Sequence, residues 1–170
     1  MGENRKERLL IFIESFAGIS CVLQTYFGNW EFWVPIVIII GGIGLWYIHL
    51  TQTLEYNTRN NLYFVYTAFL LLYLGVHDTS LYDIVPAMGL CMVSFTLVNR
   101  IVILNLALIE YVVIMVIQLW FLKQAGELNM DAFSVMKLVF HIGTVLVMYA
   151  FCRVTVKNKI SESGVQPVLW

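Results

Sequence analysis

The sequence predicts an all-α polytopic membrane protein, a bundle of six transmembrane helices with both termini cytoplasmic. Three observations predict it. Of the 170 residues, 60% are hydrophobic and 12% charged, with a mean hydropathy of +0.80, whereas soluble domains rarely exceed about half apolar. The apolar residues gather into six runs separated by short polar stretches. The basic residues then fall on alternate connections. With the N-terminus inside, Arg5, Lys6, Arg8, Arg59, Arg100, Arg153, Lys157 and Lys159 face the cytoplasm, and Lys123 and Lys137 face out, a positive-inside bias.

A bilayer core takes about 20 apolar residues per helix. On that measure the spans fall at about 9–27, 34–50, 62–76, 84–98, 101–122 and 132–154, so that 1–160 form one six-helix domain and 161–170 a cytoplasmic tail. The basic start MGENRKER leads into an apolar run that no small-residue cleavage site closes, which marks an uncleaved first span. Within it Glu14, Gly18, Cys21 and Thr25 recur on one face, a small polar stripe suited to helix contact. The second span carries Gly41, Gly42 and Gly44, which permit a close approach or a bend. No lysine follows them, so they are not a phosphate loop. His49 at its inner end reads as interfacial.

The third and fourth spans are short. Either they borrow flanking residues such as Asn61, Tyr82 and Asp83, or they sit where the bundle is thin. Little more than Asn99 and Arg100 joins the fourth span to the fifth, which requires an antiparallel hairpin. Near the middle of the fifth lies Glu110, where neither membrane surface is close. It must be protonated, paired or facing water. The sixth helix has Asp131 as an N-cap and runs past Arg153 toward Lys159, with Gly164 and Pro167 to end it. Lys137, His141 and Thr144 share one of its faces, and His141 lies about 6 Å deeper than Lys137 by helical rise. Glu110 could pair with His141 across the two last helices, either as a functional contact or as a structural one. Glu14 could equally be a satisfied packing residue.

Several functions are excluded by composition. A net charge of −1 leaves no basic patch for nucleic acid. Cys21, Cys91 and Cys152 lie inside apolar runs without CxxC or zinc spacing, which argues for small buried side chains and against redox chemistry. No HExxH or GxSxG pattern is present, so no catalytic residue is assigned. No cofactor is called for. The lipid bilayer is the one partner that composition demands.

The stretch LGVHDTSLYD, residues 74–83, gathers His77, Asp78, Thr79, Ser80 and Asp83 at an outer turn. A catalytic triad needs groups converging from a rigid scaffold, and a metal would need ligands from another loop besides His77, Asp78 and Asp83. No metal site is therefore assigned. The turn reads more simply as caps for the helix ends it joins.

Gly75, His77, Thr79, Ser80 and Asp83 also stand on a Gly-x-His-x-Thr-Ser-x-x-Asp pattern. With the basic start, six spans and a long last helix, this resembles the N-terminal membrane input region of clostridial-type hybrid sensor histidine kinases. The resemblance implies a signal-input module that forms a homodimer and drives a cytoplasmic kinase core or a partner protein through the sixth helix. It makes His77, Asp78, Thr79, Ser80 and Asp83 sensing candidates, with Glu14, Glu110, Lys137 and His141 as intramembrane polar candidates. The signal ligand is not implied. His49, His77 and His141 lack the phospho-acceptor context, and there is no glycine-rich ATP box. Kinase activity would therefore need sequence beyond Trp170. The alternative is a small-solute binding or transport component, disfavoured because no internal repeat is present.

Overall fold

Residues 3–28, 30–77, 84–126 and 131–162 are described by the computed structural model, and every regular element among them is helical. In chain order these are α1 (Glu3–Phe27), α2 (Trp33–Thr51), α3 (Tyr56–His77), α4 (Ile84–Phe95), α5 (Ile101–Ala125) and α6 (Ala132–Glu162). A 3-10 turn, Thr96–Val98, closes α4. The chain divides into two compact units, Met1–His77 and Asp78–Trp170.

In the first unit α1, α2 and α3 all pack against one another. Its core centres on Cys21, Val34, Ile38 and Leu70. The stripe of Glu14, Gly18, Cys21 and Thr25 on α1 is buried along its length. Gly18 explains how close the helices come: a Cβ there would meet the Tyr66 hydroxyl at 2.6 Å, and one at Gly41 would meet the Tyr66 ring at 2.9 Å. Tyr66 thus occupies room left by a glycine on each neighbouring helix, and its hydroxyl donates to the Ile38 carbonyl at 3.1 Å. The α2 glycine run acts here through Gly41, since nothing lies within 4 Å of a Cβ at Gly44.

In the second unit α4 packs against both α5 and α6, which also pack together. Met88, Met92, Phe95, Leu104, Ala107, Ile114 and Val145 are fully buried there. The α4–α5 connection is the expected pair of residues: Asn99 adopts a left-handed φ of 58° and Arg100 is extended. Asparagine tolerates that conformation better than most residues. On α6 the buried positions are Val145, Cys152 and Val156, so most of this helix faces away from its own unit. Asp131 caps it as expected, its Oδ1 accepting the Ser134 amide at 2.9 Å.

The span count departs from six. Four helices are long and apolar enough to cross a membrane: Arg5–Phe27, Trp33–Thr51, Ile101–Ala125 and Ala132–Glu162. Helix α3 has the length, at 22 residues, but its first turns, YNTRNN, are polar and lower its hydropathy. Helix α4 and its 3-10 turn, Ile84–Val98, fall short of the length. The third helix is therefore not the short element at 62–76 that its apolar run suggests. It begins six residues earlier because Arg59 and Asn60, although polar, are buried in the unit. Large apolar side chains such as Phe12, Phe16, Ile40, Val139, Phe140, Val147 and Phe151 point outward. So extensive an apolar surface suits hydrocarbon, not water.

Candidate functional site

Helix α3 carries a polar cluster at each end. By helical rise, Arg59 and His77 stand about 27 Å apart along it, close to the roughly 30 Å thickness of a bilayer core.

At the N-terminal end of α3, Glu7 of α1 is the common acceptor. Arg59 donates from Nε to its Oε1 at 2.6 Å and from Nη2 to its Oε2 at 2.9 Å. The Tyr63 hydroxyl donates to Oε1 at 2.8 Å, and Arg59 Nη1 reaches the Leu54 carbonyl at 2.6 Å. From α2, His49 brings Nδ1 to 3.3 Å of the same carboxylate oxygen, near enough for charge attraction but out of line for a hydrogen bond. A buried carboxylate is tolerable when paired and hydrogen-bonded, and the two-pronged guanidinium contact is the strongest such pairing. This cluster ties all three helices of the unit together. His49, expected at an interface, is instead buried within it.

At the C-terminal end, His77 is held by the α1–α2 connection and by its own helix. Its Nε2 lies 2.8 Å from Glu31 Oε2, an oxygen that also accepts the Tyr73 hydroxyl at 2.8 Å. Its Nδ1 lies 3.0 Å from the Tyr73 carbonyl, one turn back. Two aromatic rings flank the imidazole: Tyr73 with centroids 4.3 Å away, and Trp30 at 4.9 Å. Glu31 is solvent-accessible, and its carboxyl is held below the usual carboxylate range, first by its own backbone amide and then by the Tyr73 and His77 bonds. Trp30 also lines an open cleft of about 600 Å³ with Thr25, Tyr26 and Phe32.

Of the five sensing candidates, His77 is thus placed in a polar cluster, while Asp78, Thr79, Ser80 and Asp83 lie outside the described residues. Among the described residues, the partners of His77 come from the α1–α2 connection and from α3. Glu14 is buried next to Thr67, with Oε2 unpartnered among the described residues.

Glu110 does not pair with His141. Neither of its carboxyl oxygens has a hydrogen-bond partner among the described residues. The physical reason is local: His141 turns back on its own helix, with Nδ1 2.7 Å from the Lys137 carbonyl. The Lys137 ammonium sits over the Phe133 ring at 4.4 Å, and Thr144 donates to the Phe140 carbonyl at 2.9 Å. The polar face of α6 is therefore satisfied along α6. A hydrogen bond also joins α5 to α6: Tyr149 donates to Asn105 Oδ1 at 2.6 Å.

Reading from the sequence missed Glu7, Arg59, Tyr63 and Trp30 as site residues. A signal was present. The α1 stripe extends backward at helical spacing from Glu14 to Glu7, and on α3 Arg59 and Tyr63 stand four apart at one end, as Tyr73 and His77 do at the other. No protein-family model, characterised protein or solved structure matches this chain.

Proposed function

We propose that this chain is a membrane-embedded signal-input module of the kind that feeds a two-component histidine kinase, with six spans and both termini in the cytoplasm of a bacterial cell. In this reading α3 and α4 also lie within the membrane, α3 closed at each end by a polar cluster and α4 short enough to need local thinning of the bilayer. The observation that carries the reading is α6, continuous from Ala132 to Glu162. At 1.5 Å per residue its 31 residues extend about 46 Å, well beyond a core of about 30 Å. Its last turns carry Arg153, Lys157 and Lys159 and would project toward a cytoplasmic kinase core or partner protein. Few of its side chains are buried in its own unit, which leaves room for a homodimer contact and for a sliding or rotating movement.

The test is a fusion of residues 1–162 to a histidine kinase core. Inserting one to four residues after Ile160 rotates the output domain about the helix axis in steps of about 100°. Output that rises and falls with the insertion length is the expected result. Output indifferent to insertion sinks the reading.

A second reading, small-solute binding, has its own support. Within the second unit, both Glu110 carboxyl oxygens, the Tyr111 hydroxyl and both side-chain amide atoms of Gln118 are buried without a hydrogen-bond partner among the described residues. Buried polar groups are ordinarily paired, so a bound polar solute would satisfy them. Thermal stabilisation by a solute in detergent, abolished by Gln118→Leu, would favour this alternative.

A further inference from the structure

We propose that the cluster at the C-terminal end of α3 is a proton-operated latch, closed while His77 is an imidazolium and released when the ring loses a proton. This rests on the input-module reading and gives that module a stimulus, the proton concentration on the face where the α1–α2 connection lies.

The Tyr73 carbonyl can only accept, so Nδ1, 3.0 Å away, must carry a proton. Glu31 Oε2, 2.8 Å from Nε2, already receives the Tyr73 hydroxyl and is ionised above the acid range. It too can only accept, so Nε2 must also carry a proton. Both ring nitrogens thus face acceptors, an arrangement complete only for the doubly protonated, positively charged ring. The flanking faces agree: Trp30 and Tyr73 surround the ring with π-systems, which attract a cation. From α1, Thr25 and Cys21 lie beside the Tyr73 hydroxyl, and neither carries a charge.

Loss of one proton inverts one contact. A lone pair then faces either the Tyr73 carbonyl or the Glu31 carboxylate, and the repulsion frees the α1–α2 connection from α3. Histidine is the side chain whose charge changes between about pH 5 and 8, and the His77 ring is partly exposed at 22%, so protons reach it directly. The latch has two limits. It opens at the alkaline side when His77 deprotonates, and at the acid side when Glu31 takes a proton.

The test uses the full chain in lipid nanodiscs. Ring ¹⁵N resonances, assigned by their loss in His77→Gln, report whether both nitrogens are protonated. Hydrogen exchange, corrected for its intrinsic pH dependence, reports protection of the Trp30 and Val34 amides, which bond the Thr25 and Glu31 carbonyls in the closed form. The expected result is a doubly protonated ring with protected amides, and about a tenfold loss of protection as the ring deprotonates, the scale of one charge-assisted contact. His77→Arg, a cation at every pH, should stay protected on the alkaline side and lose protection only in acid, where Glu31 takes a proton. His77→Gln should be unprotected throughout, and Glu31→Gln gives the same outcome with the ring retained should that variant fold poorly. A loss of protection on the alkaline side that survives in His77→Arg overturns the latch, as does a singly protonated ring in the closed form. Failure of the latch is separable from failure of the input-module reading: the kinase fusion would still respond to insertions in α6, and would simply ignore pH.

Discussion

Arg59 grips Glu7 with two nitrogen donors, at 2.6 and 2.9 Å, in a site where neither side chain is more than 7% exposed. The pair joins α1 to the first turns of α3 and lets six polar residues, YNTRNN, belong to a helix that would otherwise begin at its apolar run. Burying two charges is expensive unless their geometry is good and their remaining valences are filled. Here Tyr63 and the Leu54 carbonyl fill them.

Removing one partner is expected to be far worse than removing both. Arg59→Met strands a buried carboxylate and should cost about 3–5 kcal/mol, whereas Glu7→Leu with Arg59→Met leaves no orphaned charge and should recover most of that loss. Reversible unfolding in mixed micelles measures both. A double variant as unstable as Arg59→Met alone contradicts the assignment.

The Gly18–Tyr66 approach makes a steric prediction. Gly18→Ala places a methyl 2.6 Å from the Tyr66 hydroxyl and must displace that ring, while Gly44→Ala meets nothing within 4 Å. The first should destabilise by about 1–3 kcal/mol. The second should be neutral or gain a few tenths up to about 1 kcal/mol from helix propensity. Melting temperatures of the two variants side by side distinguish them.

Glu31 sets an acid limit. Its folded carboxyl is held below the usual range, so its contribution is fully present above the unfolded-state carboxylate value and is lost as pH falls through the lowered folded one. Protection of the Trp30 and Val34 amides should therefore decline in acid in the parent chain. In Glu31→Gln that acid-dependent decline should be absent, because the glutamine amide does not titrate there.

At the start of α6, Asp131→Ala removes the acceptor for the Ser134 amide and should cost about 0.5–2 kcal/mol, with Asp131→Asn costing much less. Faster hydrogen exchange at Ser134 and Val135, with the rest of α6 unchanged, is the expected local signature.

Glu110 carries the opposite expectation. With no partner for either oxygen among the described residues, it stabilises nothing visible, and Glu110→Leu should be neutral or stabilising in a thermal scan. A loss of kinase-fusion output at undiminished stability would then mark Glu110 as functional.

Much of this protein was legible without a structure. The apolar runs locate all six helices because burying or dissolving that many apolar side chains in lipid dominates every other term. The capping role of Asp131 and the two-residue Asn99–Arg100 connection are local events, decided within a few residues. His77 stood out as an unusual residue at a helix end. Its partners did not, because Glu31 lies 46 positions earlier and nothing in LGVHDTSLYD names it. The neighbouring Asp78, Thr79, Ser80 and Asp83 drew the eye by proximity in sequence and lie outside the described residues, whereas Glu31, bonded to His77, belongs to another connection.

By itself the sequence determined the helical class, the apolar surface and the place of each helix, since these follow from hydrophobic burial and from backbone groups that must bond within their own segment. Which polar groups meet was decided by tertiary structure alone. Glu7 finds Arg59 across 52 positions, Glu31 finds His77, and Glu110 finds no hydrogen-bond partner among the described residues. A charge pair depends on distances of a few ångströms between helices, and helical periodicity specifies only the face on which a side chain lies, not the residue that the packing brings opposite it.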